Sequence, residues 1–137
     1  MFPAAFARES EREAVLSKCI LIVDDSERIR ASLRRFLERD VGIEVCGEAV
    51  DGVDAIEKVT RLQPDLVILD LVMPRMNGLQ AARELKSMPA HTRIILFTMH
   101  SDAIQSREAE EAGIDAVVAK SNLVALRQNI DSLLAEH

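Results

Sequence analysis

The chain has 137 residues, enough for one domain and one core without staples, since a chain of about 150 residues buries roughly 68–70% of the surface it exposes when unfolded. Apolar residues make up 48% of it, which excludes a disordered chain, and the formal net charge of −6 argues against non-specific nucleic-acid binding and against a polybasic membrane anchor. No apolar run approaches the roughly 18 residues that span a bilayer, and the first 18 residues lack the apolar stretch and cleavage site of a signal peptide, so the expected compartment is the cytoplasm.

In chain order, residues 1–17 form a tail; Arg8 to Leu16 carries a short helical pattern, although a frayed end is the expectation. The first strand is predicted over Lys18 to Val23 and the first helix over Ser26 to Arg39, capped by Ser26, with Ile29, Leu33, Phe36 and Leu37 on one face. A second strand, Ile43 to Ala49, precedes a helix marked by Val53, Ile56 and Val59 and ended by Pro64. The third strand runs to Asp70. A loop with Pro74 then leads past Gly78 to a helix over Leu79 to Lys86. Pro89 breaks that helix, and a fourth strand follows over Thr92 to Thr98. A polar fourth helix is predicted over Asp102 to Ala112, stopped by Gly113. The fifth strand is Ala116 to Ala119, and Ser121 is the expected cap of the last helix, whose apolar face is Leu123, Leu126, Ile130, Leu133 and Leu134. Cys19 and Cys46 lie in apolar strand-like runs and fit no metal or redox spacing; they are expected as two buried thiols acting as small hydrophobes.

Continuous apolar strands separated by helices imply a parallel sheet covered on both faces. Five such units match an α/β fold, a (βα)5 doubly wound five-stranded sheet, for which the flavodoxin-like order 2-1-3-4-5 is expected. Ligands of such sheets bind at the carboxyl ends of the strands, beside the switch point between strands 1 and 3. Asp24 and Asp25, Asp70, Thr98 and Lys120 close the four apolar runs that this order sets side by side, whereas strand 2 ends in Glu48-Ala49-Val50 with no evident contribution. Each residue alone reads as a solvated loop, a cap or a surface lysine; together at four strand ends they read as one site. Three converging carboxylates repel one another, and Mg²⁺, which prefers oxygen ligands, relieves that repulsion. Asp70 is then the candidate nucleophile toward phosphorus, with Lys120 and the Thr98 hydroxyl available to phosphoryl oxygens.

Ile20 to Ser26 (ILIVDDS), Pro64 to Leu79 (PDLVILDLVMPRMNGL), Ile94 to Met99 (IILFTM) and Val117 to Ser121 (VVAKS) resemble the response-regulator receiver domain, the CheY-like family. The resemblance covers about Lys18 to Glu136, so a receiver domain is expected over residues 18–137. It implies two-component signalling, with Asp70 accepting a phosphoryl group from the phosphohistidine of a histidine kinase or phosphotransfer protein. It further implies that Asp25, Asp70 and the backbone carbonyl of Val72 bind Mg²⁺, for which Mn²⁺ can substitute, that Asp24 helps through a water, and that Thr98 and Lys120 carry the switch. Val72 and His100 would flank an attacking water, and slow self-hydrolysis is expected because Val72 cannot orient one.

Two positions depart from the common pattern. Val117 stands where many receivers have an aromatic ring that rotates inward, and Ser121 where many have proline. The Lys-Ser ending with His100 is closer to receivers of the two-domain LuxR-type transcription-factor branch. The chain stops after the fifth helix pattern, so no DNA-binding domain is expected in it, and it acts either as a single-domain regulator or as the receiver of a longer one. A monomer and a phosphorylation-dependent homodimer are both compatible with it. Two other classes compete. An aspartate-nucleophile phosphohydrolase would want an acid/base carboxylate two residues after Asp70, where Val72 stands. A flavodoxin-like cofactor binder would want a Gly- or Ser/Thr-rich first loop in place of Asp24-Asp25-Ser26.

Overall fold

The computed structural model describes residues 17–89 and 91–135. The expectations for residues 1–16 lie outside them.

The strands are β1 (Lys18–Val23), β2 (Ile43–Ala49), β3 (Leu66–Leu69), β4 (Arg93–Thr98) and β5 (Ala116–Ala119). All four pairings are parallel, as the alternation of patterns implies, and the order is the expected β2-β1-β3-β4-β5. The helices are α1 (Glu27–Leu37), α2 (Gly52–Leu62), α3 (Gly78–Lys86), α4 (Ser106–Glu111) and α5 (Leu123–Ala135), with a 3₁₀ turn at Ser101–Ala103.

Strand side chains alternate between two cores. Leu21, Val23, Val67 and Leu69 pack with Ala55 and Val59 of α2, Ala81 and Leu85 of α3 and Ala109 of α4. Ile20, Ile22 and Ile68 face the other way, with Leu33 and Leu37 of α1 and Leu126 and Ile130 of α5. The three central strands are therefore buried on both faces, which explains their uninterrupted apolar sequence.

Local signals set the helix ends. Ser26 accepts the Ile29 amide at the start of α1 (3.3 Å). Asn77 and Gln80 form a reciprocal capping box at the start of α3. Gln63, in the left-handed region, ends α2 just before Pro64.

Three expectations are corrected. The fourth helix does not run from Asp102 to Ala112. Ile104 adopts an extended backbone and packs against the α2–α4 core, leaving a 3₁₀ turn before it and the six-residue α4 after Gln105. Ser121 is not the cap of α5; the Asn122 carboxamide oxygen accepts the Ala125 amide (3.0 Å) and takes that role. Cys19 and Cys46 are not two free buried thiols but a half-buried disulfide between β1 and β2, with Cα atoms 5.4 Å apart. The register explains it: Ile20 pairs Val45 and Leu21 pairs Gly47, so Cys46 is the extra residue of a bulge beside β1.

Candidate functional site

The carboxyl ends of the strands are joined by backbone bonds that run one residue past the sheet. The Asp24 amide donates to the Ala49 carbonyl (3.1 Å), the Asp70 amide to Val23 (3.0 Å) and the Lys120 amide to Thr98 (3.0 Å). Each strand-end residue is thereby held by a neighbouring strand; Asp24, Asp70 and Lys120 meet above the switch point, and Thr98 ends the intervening strand β4.

Asp24, Asp25 and Asp70 each present a carboxylate oxygen within 4.8 Å of the others. Asp24 and Asp70 are buried and Asp25 is exposed. The Asp24 carboxylate accepts the Ser26 amide (2.9 Å) through one oxygen and the Lys120 ammonium (2.7 Å) through the other. Lys120 also reaches Asp70 at 3.2 Å, and the second Asp70 oxygen accepts the Leu71 amide (2.8 Å). Burial pushes the Asp70 carboxyl above the usual carboxylate range; the charge of Asp24 adds to that rise while Lys120 opposes it. Burial alone would lower the Lys120 pKa, but its hydrogen bond to Asp24 and the attraction of both carboxylates raise it, so Lys120 stays charged.

The loop after Asp70 folds back on it. The Gly78 amide donates to the Leu71 carbonyl (2.8 Å), and a Cβ at Gly78 would overlap the Asp70 carbonyl oxygen, so glycine permits the close return. Val72 sits on this loop with its side chain mostly exposed, and His100 is exposed on the loop after β4. Thr98 is fully buried, and its hydroxyl oxygen accepts the His100 amide (3.1 Å).

Five residues that sequence reasoning passed over support the site. Arg30 donates to the Asp24 carbonyl (2.7 Å) and to Glu48 (2.9 Å), which also binds Arg34 (2.8 Å). Burial would raise the Glu48 pKa, but the two guanidinium groups hold it below the usual value. Strand β2 thus contributes after all, by tying α1 to the acidic loop. On the other side Asp51, at the start of α2, pairs with Arg75 of the β3–α3 loop. The helical spacing of Arg30 and Arg34 was the available signal for the first group; nothing in the sequence marked the second.

An oxygen-only donor set with one buried nucleophilic carboxylate and a fixed ammonium fits a hard divalent cation such as Mg²⁺ and the electrostatics of phosphoryl transfer. A parallel (βα)5 sheet with this acidic crevice at its switch point defines a class of phosphoryl-dependent switches. Residues 20–131 match the response regulator receiver domain, and the chain belongs to that family. It is 38% identical over 105 residues to the chemotaxis protein CheY of Halobacterium salinarum, covering 77% of this chain and 86% of that protein. A two-component response regulator of the LuxR family from Aurantimonas superposes with a TM-score of 0.80 at 35% identity, over 87% of this chain and 86% of that one. The response regulator TrrA of Thermotoga maritima, solved in complex with Mg²⁺ and BeF, superposes at 0.76 with 34% identity, over 85% of this chain and 98% of that one. Other relatives are longer: the chain spans 33% of a protein-glutamate methylesterase/protein-glutamine glutaminase of Pyrococcus abyssi, to which it is 39% identical over 121 residues. The domain therefore serves two-component signalling, and receivers as a family bind Mg²⁺ in an acidic pocket and interact with histidine kinases and phosphotransfer proteins.

Proposed function

We propose that Asp70 is the phosphoryl acceptor of this receiver, within a domain extending over residues 18–137. The observation that carries this is the pairing of one ammonium, Lys120, with Asp24 and Asp70 at the switch point. An ionised Asp70 oxygen forms a bond to phosphorus as the N–P bond of a donor phosphohistidine breaks, and the leaving imidazole takes up a proton. Asp25, Asp70 and the Val72 carbonyl would hold Mg²⁺, or Mn²⁺ in its place, with Asp24 acting through a water. When bound, the metal neutralises charge on the phosphoryl oxygens. Lys120 then exchanges an Asp70 oxygen for a phosphoryl oxygen, and the Thr98 hydroxyl leaves the His100 amide to reach another.

The protein acts as a switch rather than a turnover enzyme, because the position two residues past Asp70 is Val72, which has no acid or base to return water quickly. The kinase or phosphotransfer partner docks beside α1. An apolar cavity of about 170 Å³ between α1 and α5, floored by Phe97 and lined by Ile29 and Leu123, opens against Lys120. An apolar side chain of a partner helix seated there would bring that helix's phosphohistidine toward Asp70. Such partners place the domain in the cytoplasm, with output through protein contact, or through an effector domain if the domain belongs to a longer regulator, and as a monomer or a phosphorylation-dependent dimer.

Borohydride trapping tests the acceptor. After incubation with a phosphohistidine donor and Mg²⁺, reduction of an aspartyl phosphate leaves homoserine, and peptide mass analysis is expected to find it at position 70. Homoserine at another aspartate would refute the assignment.

A further inference from the structure

The loop that carries Val72 contains an unusual turn. The Met76 amide donates to the Pro74 carbonyl (2.7 Å), closing a three-residue turn centred on Arg75, whose φ is +67°. A non-glycine residue in that region is disfavoured, and turns of this kind are strained. Something must hold Arg75 there, and its side chain supplies the hold. The guanidinium binds one Asp51 oxygen through Nε (2.8 Å) and Nη2. The other Asp51 oxygen accepts the Asp54 amide (2.8 Å) and caps α2. That amide bond and Arg75 hold the Asp51 carboxyl below its usual range against the opposing effect of burial. Alongside, Gly52 packs so closely on Met76 that a Cβ there would collide with the Met76 side chain and backbone.

The Asp51 side chain is 4% exposed, whereas that of Arg75 is 62% exposed. Water screens such a pair, so its contribution to folding is small. Its geometry is nonetheless specific: a two-point grip across 24 residues that references the β3–α3 loop to the start of α2. Gly78 fixes the far end of the same loop against Asp70 and Leu71. Met73 is buried in the α2–α4 core and Met76 packs against it, and Arg75 adds the loop's side-chain ion pair to α2, three residues from Val72.

We infer that Arg75, gripped by Asp51, is a positioning residue that sets the β3–α3 loop so that its Val72 carbonyl faces the acidic pair and completes the metal site. This rests on the metal reading given above. Groups that orient a ligand commonly change metal affinity about tenfold or more when removed.

The test is Mg²⁺ binding by calorimetry to the full-length protein, with amide NMR shifts of Leu71 to Met73 followed in the same titration. Arg75→Gly keeps the turn and removes the grip; Asp51→Ser keeps the α2 cap and removes the charge. Each is expected to weaken Mg²⁺ roughly tenfold and to move the Leu71–Met73 amides before metal is added. The double variant is expected to be no worse than either single one, and Arg75→Lys to restore part of the affinity. Wild-type affinity in a folded Arg75→Gly would overturn the positioning role while leaving the metal site intact. Absence of Mg²⁺ binding by the wild type would instead overturn the metal reading, and this inference with it.

Discussion

Asp70 is held in conflict. It needs its charge to attack phosphorus, yet burial and Asp24 favour its neutral form, and Lys120 offsets them only in part. A group whose folded-state pKa is raised contributes stability below its unfolded pKa, near 4, and loses it as pH rises through the folded value. In chelator, the protein is therefore expected to lose stability over the mildly acidic range above pH 4, and Asp70→Asn is expected to flatten that loss and raise the neutral-pH melting temperature by a few degrees. Thermal melts from pH 4 to 7 check this; an unchanged slope in Asp70→Asn would contradict it. The convergence of Asp24, Asp25, Asp70 and Lys120 was legible in the sequence because they close continuous apolar runs, as Thr98 closes β4. Their supports were not. The Arg30–Glu48 and Arg75–Asp51 pairs join residues 18 and 24 positions apart, through loop geometry that no periodicity encodes.

At the scale of elements, all five strands followed from buried-strand runs alternating with helical patterns, whereas their order rested in part on the family resemblance. What failed were features decided by tertiary context. The fourth helix divides at Ile104, whose extended backbone lays its half-buried side chain against the core. The cap of α5 falls to Asn122 rather than to its neighbour Ser121. The cysteines meet because a one-residue bulge in β2 sets their register, and the isolated Gly47 inside that strand was the signal that could have marked it. Their bridge closes a span of 27 residues, which corresponds to about 3.5 kcal/mol in the chain-entropy view. Reduction is accordingly expected to lower the melting temperature of the wild type, and Cys46→Ser to match the reduced protein and ignore reductant. A melting temperature indifferent to reductant, in protein shown by mass to be oxidised, would contradict this. In a reducing compartment the bridge opens to two thiols and that increment is lost.

Across the molecule, the site is rigid on one side and loosely held on the other. Asp24 and Asp70 stand at the ends of β1 and β3, buried on both faces, while Thr98 and Lys120 bracket the segment that holds the short helix α4. α4 buries only Ala109, and Val117, at the aromatic position of many receivers, is a small half-buried side chain packed on the same core. A charge of about −1.5 to −2 added at Asp70 draws on Lys120 and Thr98 and so acts on that weaker half. Hydrogen exchange with and without phosphorylation is expected to change over Ser101 to Lys120 and to stay constant in β1 and β3. Uniform exchange across residues 101–120 in the two states would remove this account of the output.

The most direct test of the whole is intact mass after incubation with acetyl phosphate and Mg²⁺. One added phosphoryl group, absent in Asp70→Asn and absent with chelator, is the expected result. No addition to a folded protein that binds Mg²⁺, or undiminished addition to Asp70→Asn, would contradict the assignment of Asp70 as a metal-dependent phosphoryl acceptor.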